Sequence, residues 1–143
     1  MNNFDNEIDM KVLMDCAQKG NAEAQNTLGF CYMRGMGVLA DKCAGFNWIK
    51  KAAESGHAKA QRNLGYCFAN GEGTDINLEE AVTWYKKSAE AGDDKGMFDL
   101  AMCYKYGEGV EKDLKEAEKW LEQAVELGNK DAEDQIFHFK LWD

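Results

Sequence analysis

The chain has 143 residues, 45% of them hydrophobic and 30% charged, and a net charge of −9 from 17 basic against 26 acidic side chains. That length and apolar content build about one domain with a continuous core, and nothing approaches the ~18 consecutive apolar residues of a membrane span. The acidic balance argues against nucleic acid or an anionic membrane surface as the main partner, because both reward a basic patch.

In chain order, Met1-Asn2-Asn3-Phe4-Asp5-Asn6-Glu7 lacks the basic n-region and apolar core of a secretory signal, so the expected location is the cytoplasm. Val12, Leu13, Cys16 and Ala17 then fall on one helical stripe and predict a leading helix over 6–19. From residue 22 a pattern recurs every 36 residues: Leu28, Leu64 and Leu100; Cys31, Cys67 and Cys103; Trp48, Trp84 and Trp120. The glycine pairs Gly35/Gly37, Gly71/Gly73 and Gly107/Gly109 keep the same interval, as do Gly20, Gly56, Gly92 and Gly128. A fixed period in this range signals stacked units that bury their apolar faces only against neighbours.

Residues 58–92 illustrate one unit. Ala60, Leu64, Cys67 and Phe68 form the stripe of a first helix, with Gly65 beside it as a point of close approach. Asn70-Gly71-Glu72-Gly73 breaks that helix and supplies positive φ angles for the reversal. Asn77 reads as the N-cap of a second helix, with Glu80 as capping-box acid; Asp113 and Glu116 repeat the pair, and Asp41 keeps the cap without the acid. Ala81, Trp84, Tyr85, Ser88 and Ala89 carry the second stripe, and Gly92 closes it. Repeats are therefore expected over 22–56, 58–92 and 94–128, followed by a final helix over 130–141 without a partner helix, all within one repeat domain, 1–143. Phe137, Phe139, Leu141 and Trp142 crowd that last helix, as a capping cluster or as a patch for self-association.

The pattern A-x-x-x-L-G-x-x-Y-x-x-G-x-G-V, then D-x-x-x-A-x-x-W-Y-x-x-A-A-x-x-G, resembles the Sel-one-like repeat, a relative of the tetratricopeptide repeat. Ala24, Leu28, Gly29, Tyr32, Gly35, Gly37, Val38, Asp41, Trp48 and Gly56 carry it in the first unit, and equivalent residues do so in the next two. Departures are Gly45 and Gly96 for alanine, Ala101 for glycine and Thr74 for valine. The resemblance implies an all-α fold, a right-handed α/α superhelix (solenoid) of three 36-residue helix-turn-helix repeats with flanking helices. It also implies adaptor or scaffold work on another protein or peptide, not catalysis. A secreted branch with paired cysteines is a poor match, since Ala53 with Ala60 and Ala89 with Gly96 stand at the matching places.

In such superhelices the first helix of each hairpin lines the concave side. The register then turns Asn26, Phe30 and Met33, Lys59, Arg62 and Tyr66, and Lys95, Phe98, Met102 and Lys105 toward a partner-binding groove. Aromatic area and mid-groove positive charge predict an extended or helical ligand with an apolar anchor and a carboxylate. The other reading buries Phe30, Tyr66 and Phe98 as secondary core. Replacing Arg62 and Phe98 by alanine, with the melting temperature unchanged, is the expected signature of a groove. A small acidic inhibitor or immunity protein that blocks a toxin or basic enzyme is the alternative function.

Chemistry-bearing motifs are missing. There is no phosphate loop, and neither Ser55 nor Ser88 is followed three residues later by lysine. His57 and His138 lie too far apart along the stack to serve one nucleophile, and no Cys-x-x-Cys offers a metal site. No cofactor or metal is expected. Cys31, Cys67 and Cys103 should stand about 10 Å apart, beyond disulfide reach, as buried thiols of a reducing compartment.

Overall fold

A computed structural model describes residues 9–142, with side chains through Phe139. The described residues form eight helices: α1 (Met10–Gln18), α2 (Ala22–Arg34), α3 (Lys42–Glu54), α4 (Ala58–Asn70), α5 (Leu78–Glu90), α6 (Asp94–Tyr106), α7 (Leu114–Glu126) and α8 (Lys130–Trp142). No strand occurs among the described residues. Each helix packs on the next in sequence, and α2 also touches α4, as α4 touches α6. The architecture is the expected α/α solenoid.

The leading helix, expected over 6–19, is described from Met10 to Gln18. Asp9 has extended backbone and accepts from the N–H groups of Lys11 and Val12, so it starts α1 at Met10. Residues 6–8 lie outside the described residues. The side chains of Leu141 and Trp142, half of the expected C-terminal cluster, also lie outside them.

Two kinds of turn alternate. Between α4 and α5, Gly71 takes φ 70° and its N–H donates to the Cys67 carbonyl. Two residues on, Gly73 has φ 72° and lies so close to the Lys42 carbonyl at the start of α3 that no Cβ would fit. The second glycine of the pair is therefore the point where one repeat seats on the preceding one. Gly109 meets the Leu78 carbonyl in the same way.

The outer helices α3, α5 and α7 are capped by Asp41, Asn77 and Asp113, as the sequence predicts. The reciprocal half of the capping box is not formed. The Asn77 N–H donates to the Phe68 carbonyl (2.8 Å) and that of Asp113 to the Tyr104 carbonyl (2.9 Å). Asp41 does the same with Tyr32 (2.8 Å). A main-chain acceptor from the preceding helix thus takes the N–H that Glu80 and Glu116 were expected to satisfy, and this explains why Ala44 suffices in the first repeat.

The core is a column of small and medium side chains, with Leu28, Leu64, Leu100 and Leu121 among the most buried. At the centre of the second repeat the Tyr85 ring covers Gly65, where a Cβ would come within 2.6 Å of it. The equivalent position is Gly29 in α2, Ala101 in α6 and Phe137 in α8; that phenylalanine is 64% exposed. Cys31, Cys67 and Cys103 are buried free thiols. Burial raises all three, Cys67 and Cys103 to about 12. The outer face carries its own ladder: Lys51, Lys87 and Lys119 stand over the rings of Trp48, Trp84 and Trp120 at 5.3, 4.2 and 5.8 Å.

Candidate protein-interaction groove

The helices form two layers, with α2, α4, α6 and α8 inside and α1, α3, α5 and α7 outside. α2 touches α4 and α4 touches α6, and a side-chain bond joins α6 to α8, so the stack curves toward these helices and their free faces line the concave side. Side-chain bonds tie these helices together. Asn63 Nδ2 donates to Asn26 Oδ1 (2.9 Å), Arg62 Nε to Asp99 Oδ2 (2.7 Å), and Lys105 Nζ to Gln135 Oε1 (2.7 Å). The first two join residues 37 apart. A residue on one inner helix therefore meets the position one beyond its equivalent on the next.

That offset changes the expected electrostatics. Arg62 does not stand as unengaged positive charge, because it is ion-paired with Asp99. Burial pushes the Asp99 carboxyl above its usual value, while the Arg62 charge and hydrogen bond pull the other way. Lys105 lies 5.2 Å from the Tyr106 ring centroid and 5.5 Å from that of Phe139. Lys59 and Lys95 are exposed.

The aromatic positions divide. Phe30 and Tyr66, at the same register on α2 and α4, are 45% and 46% exposed, with the Arg34 guanidinium 5.2 Å from the Phe30 ring centroid. Phe98 is half-buried against the core of the third repeat, as is Met102, and Met33 packs on that of the second. Phe98 therefore follows the secondary-core reading; Phe30 and Tyr66 do not.

Three clefts open along the inner layer. The first, about 440 Å³, lies between the first and second repeats and gathers Phe30, Met33, Arg62 and Tyr66. Arg34, Lys42, Ile49, Asn63, Cys67 and Glu72 complete it. The second, about 450 Å³, holds Lys95 and Phe98 with the far side of Arg62. The third, about 250 Å³, takes Met102. Asn26, Lys59 and Lys105 line none of the three. The sequence reading missed Asn63 and Asp99, for which the 37-residue offset was the available signal. It also missed Arg34, Lys42 and Glu72, which sit at helix ends and in a turn, outside the first-helix register used to place the groove.

Other chemistry is sparse. His57 is an N-cap, its Nδ1 accepting from the Ala60 N–H at 3.2 Å. Among the described residues no three His, Cys, Asp or Glu side chains are grouped to hold a metal, and no helix is long and apolar enough to cross a membrane.

Comparison with curated proteins gives no match in sequence. Solved structures do match. A protective antigen of uropathogenic Escherichia coli displaying an SLR fold is 35% identical over 89% of this chain, with a TM-score of 0.86; the match spans 27% of that longer chain. A Sel1 repeat protein from Oxalobacter formigenes is 32% identical over 91% of this chain and 98% of its own, with a TM-score of 0.83. Helicobacter pylori cysteine rich protein B is 28% identical over 87% of this chain and 95% of its own, at 0.69. Such repeat proteins are generally non-catalytic scaffolds for protein interaction. The Sel1 repeat matches three times in direct succession, over residues 22–57, 58–93 and 94–129, and on that coverage the chain belongs to the Sel1 repeat family.

Proposed function

We propose that this protein is a non-catalytic adaptor that holds a peptide segment of another protein on its concave face. The observation that carries the reading is the pair Phe30 and Tyr66, each nearly half exposed at one register of successive inner helices and bordering one cleft. Aromatic side chains beside a concave apolar surface are the usual anchors of a protein interface. A reducing compartment, the cytoplasm, suits thiols buried at Cys31, Cys67 and Cys103.

The test compares proteins retained by the wild type with those retained by a Phe30→Ala/Tyr66→Ala variant of equal melting temperature. Loss of a defined set of partners in the variant supports the reading; an unchanged set overturns it. The net charge of −9 favours a second reading, an inhibitor of one basic protein. Under that reading a single basic partner dominates, binding weakens steeply with salt, and the groove variant keeps it.

A further inference from the structure

The first and third clefts occupy equivalent places one repeat apart, yet their chemistry is opposite. At the inner wall the first has Ile49 where the third has Tyr85. At the rim Arg34 and Lys42 stand where the third cleft has Asn70 and Leu78. On the floor the neutral Asn63 replaces Asp99. The shorter Ile49 leaves about 440 Å³ where the phenol ring of Tyr85 reduces the space to about 250 Å³. Three basic side chains (Arg34, Lys42 and Arg62) line the first cleft; Glu72 pairs with Lys42 at 2.8 Å and Asp99 with Arg62 from outside it, so the excess charge rests on Arg34. The third is lined by two acids, Asp99 and Glu108, and no base. In the second cleft three acids balance three bases. A basic, half-apolar cavity in a chain of net charge −9 is a local reversal of sign, and it selects its ligand by complementarity.

We propose that the first cleft is the anchor pocket for an acidic peptide segment of a partner protein. One bulky aliphatic or aromatic side chain sits against Ile49 and Cys67 between Phe30 and Tyr66, and a neighbouring carboxylate meets Arg34 and Lys42. This rests on the inner face being the peptide-binding face and adds where the anchor enters and what charge flanks it. The third cleft rejects the same segment, because its volume is smaller, Glu108 repels a carboxylate and no base lines it, Asp99 being already paired with Arg62. Specificity then resides in four positions, 34, 42, 49 and 63, each of which differs from its counterpart 36 residues on.

The experiment selects random hexapeptides displayed on phage against the whole protein, then measures binding of the enriched peptides to three variants. Ile49→Tyr narrows the cleft using the side chain that the second repeat already packs over Gly65. Lys42→Leu and Asn63→Asp import the polarity of the third cleft. The expected outcome is enrichment of Asp/Glu-rich peptides with one large apolar residue, affinity falling with salt, and about ten-fold or greater loss in each variant at unchanged melting temperature. Enriched basic peptides overturn the proposal, as does acidic-peptide binding that survives Ile49→Tyr and Asn63→Asp. Binding that survives these variants but is lost on Lys95→Glu overturns the anchor assignment while leaving the inner-face reading in place; no enrichment overturns both. Self-association in sedimentation that Ile49→Tyr abolishes assigns the cleft to a second copy and likewise overturns it.

Discussion

At the residue scale, one departure from the repeat pattern is matched by another. Gly96 replaces an alanine, and the space of its missing methyl is filled by Ser88, whose Oγ would collide with a Cβ there. That hydroxyl lies 2.9 Å from the Ala58 carbonyl, to which it donates. The other repeats use Ala52 with Ala60 and Ala124 with Ala132, all buried. Gly96→Ala alone should destabilise the fold by about 1–3 kcal/mol through overpacking, in spite of alanine's better helix propensity. Adding Ser88→Ala should restore most of the loss; a thermal double-mutant cycle with no coupling between the two would contradict this. Glycine at 96 was legible as a departure, but its cause was not, because residues 88 and 96 belong to different helices and meet only after folding. Asp99 behaves differently. Its carboxyl is raised by burial above 3.8, so the folded state holds its proton more tightly than the unfolded chain does. Its contribution is therefore favourable at low pH and is lost as pH rises through the folded value. Relative to wild type, Asp99→Asn should gain melting temperature as pH climbs from about 4 to 7; a difference that moves the other way would contradict it. Arg62→Ala should lower the melting temperature, because it leaves that carboxylate without its partner, contrary to the unchanged value expected from sequence.

At the element scale, helix beginnings are where local sequence is most informative. Asp41, Asn77 and Asp113 are caps by residue type alone, and each accepts the expected N–H. Asp113→Ala should cost about 0.5–2 kcal/mol, read as a lower urea midpoint at constant slope. Glu80→Ala should cost no more than its interaction with the helix dipole, about 0.3–1 kcal/mol, since its reciprocal bond is absent. A larger loss at Glu80 than at Asp113 would restore the capping box. The box failed as a prediction because its donor was claimed by a carbonyl nine residues back, a tertiary contact that no four-residue motif encodes.

At the scale of the whole molecule, the fold was legible because a 36-residue period in Leu, Cys, Gly and Trp repeats the same packing problem three times. The groove was less so: register found Phe30 and Tyr66, but not that Arg62 would pair with Asp99 across repeats. The cysteines provide a readout of the intact stack. Cys43 is exposed and Cys16 half-buried, whereas Cys31, Cys67 and Cys103 are buried. A thiol reagent at pH 8 should label Cys43 first and Cys16 next, and the three core thiols only at the rate of unfolding. Prompt labelling of Cys67 would mean that the central repeat opens on its own. Phe137 has a consequence for what can cover α8. Where the earlier inner helices present hydrogen or methyl to the helix that covers them, α8 presents an exposed phenyl ring. A helix laid over that ring must cross at a greater distance or another angle than α5 takes over Gly65.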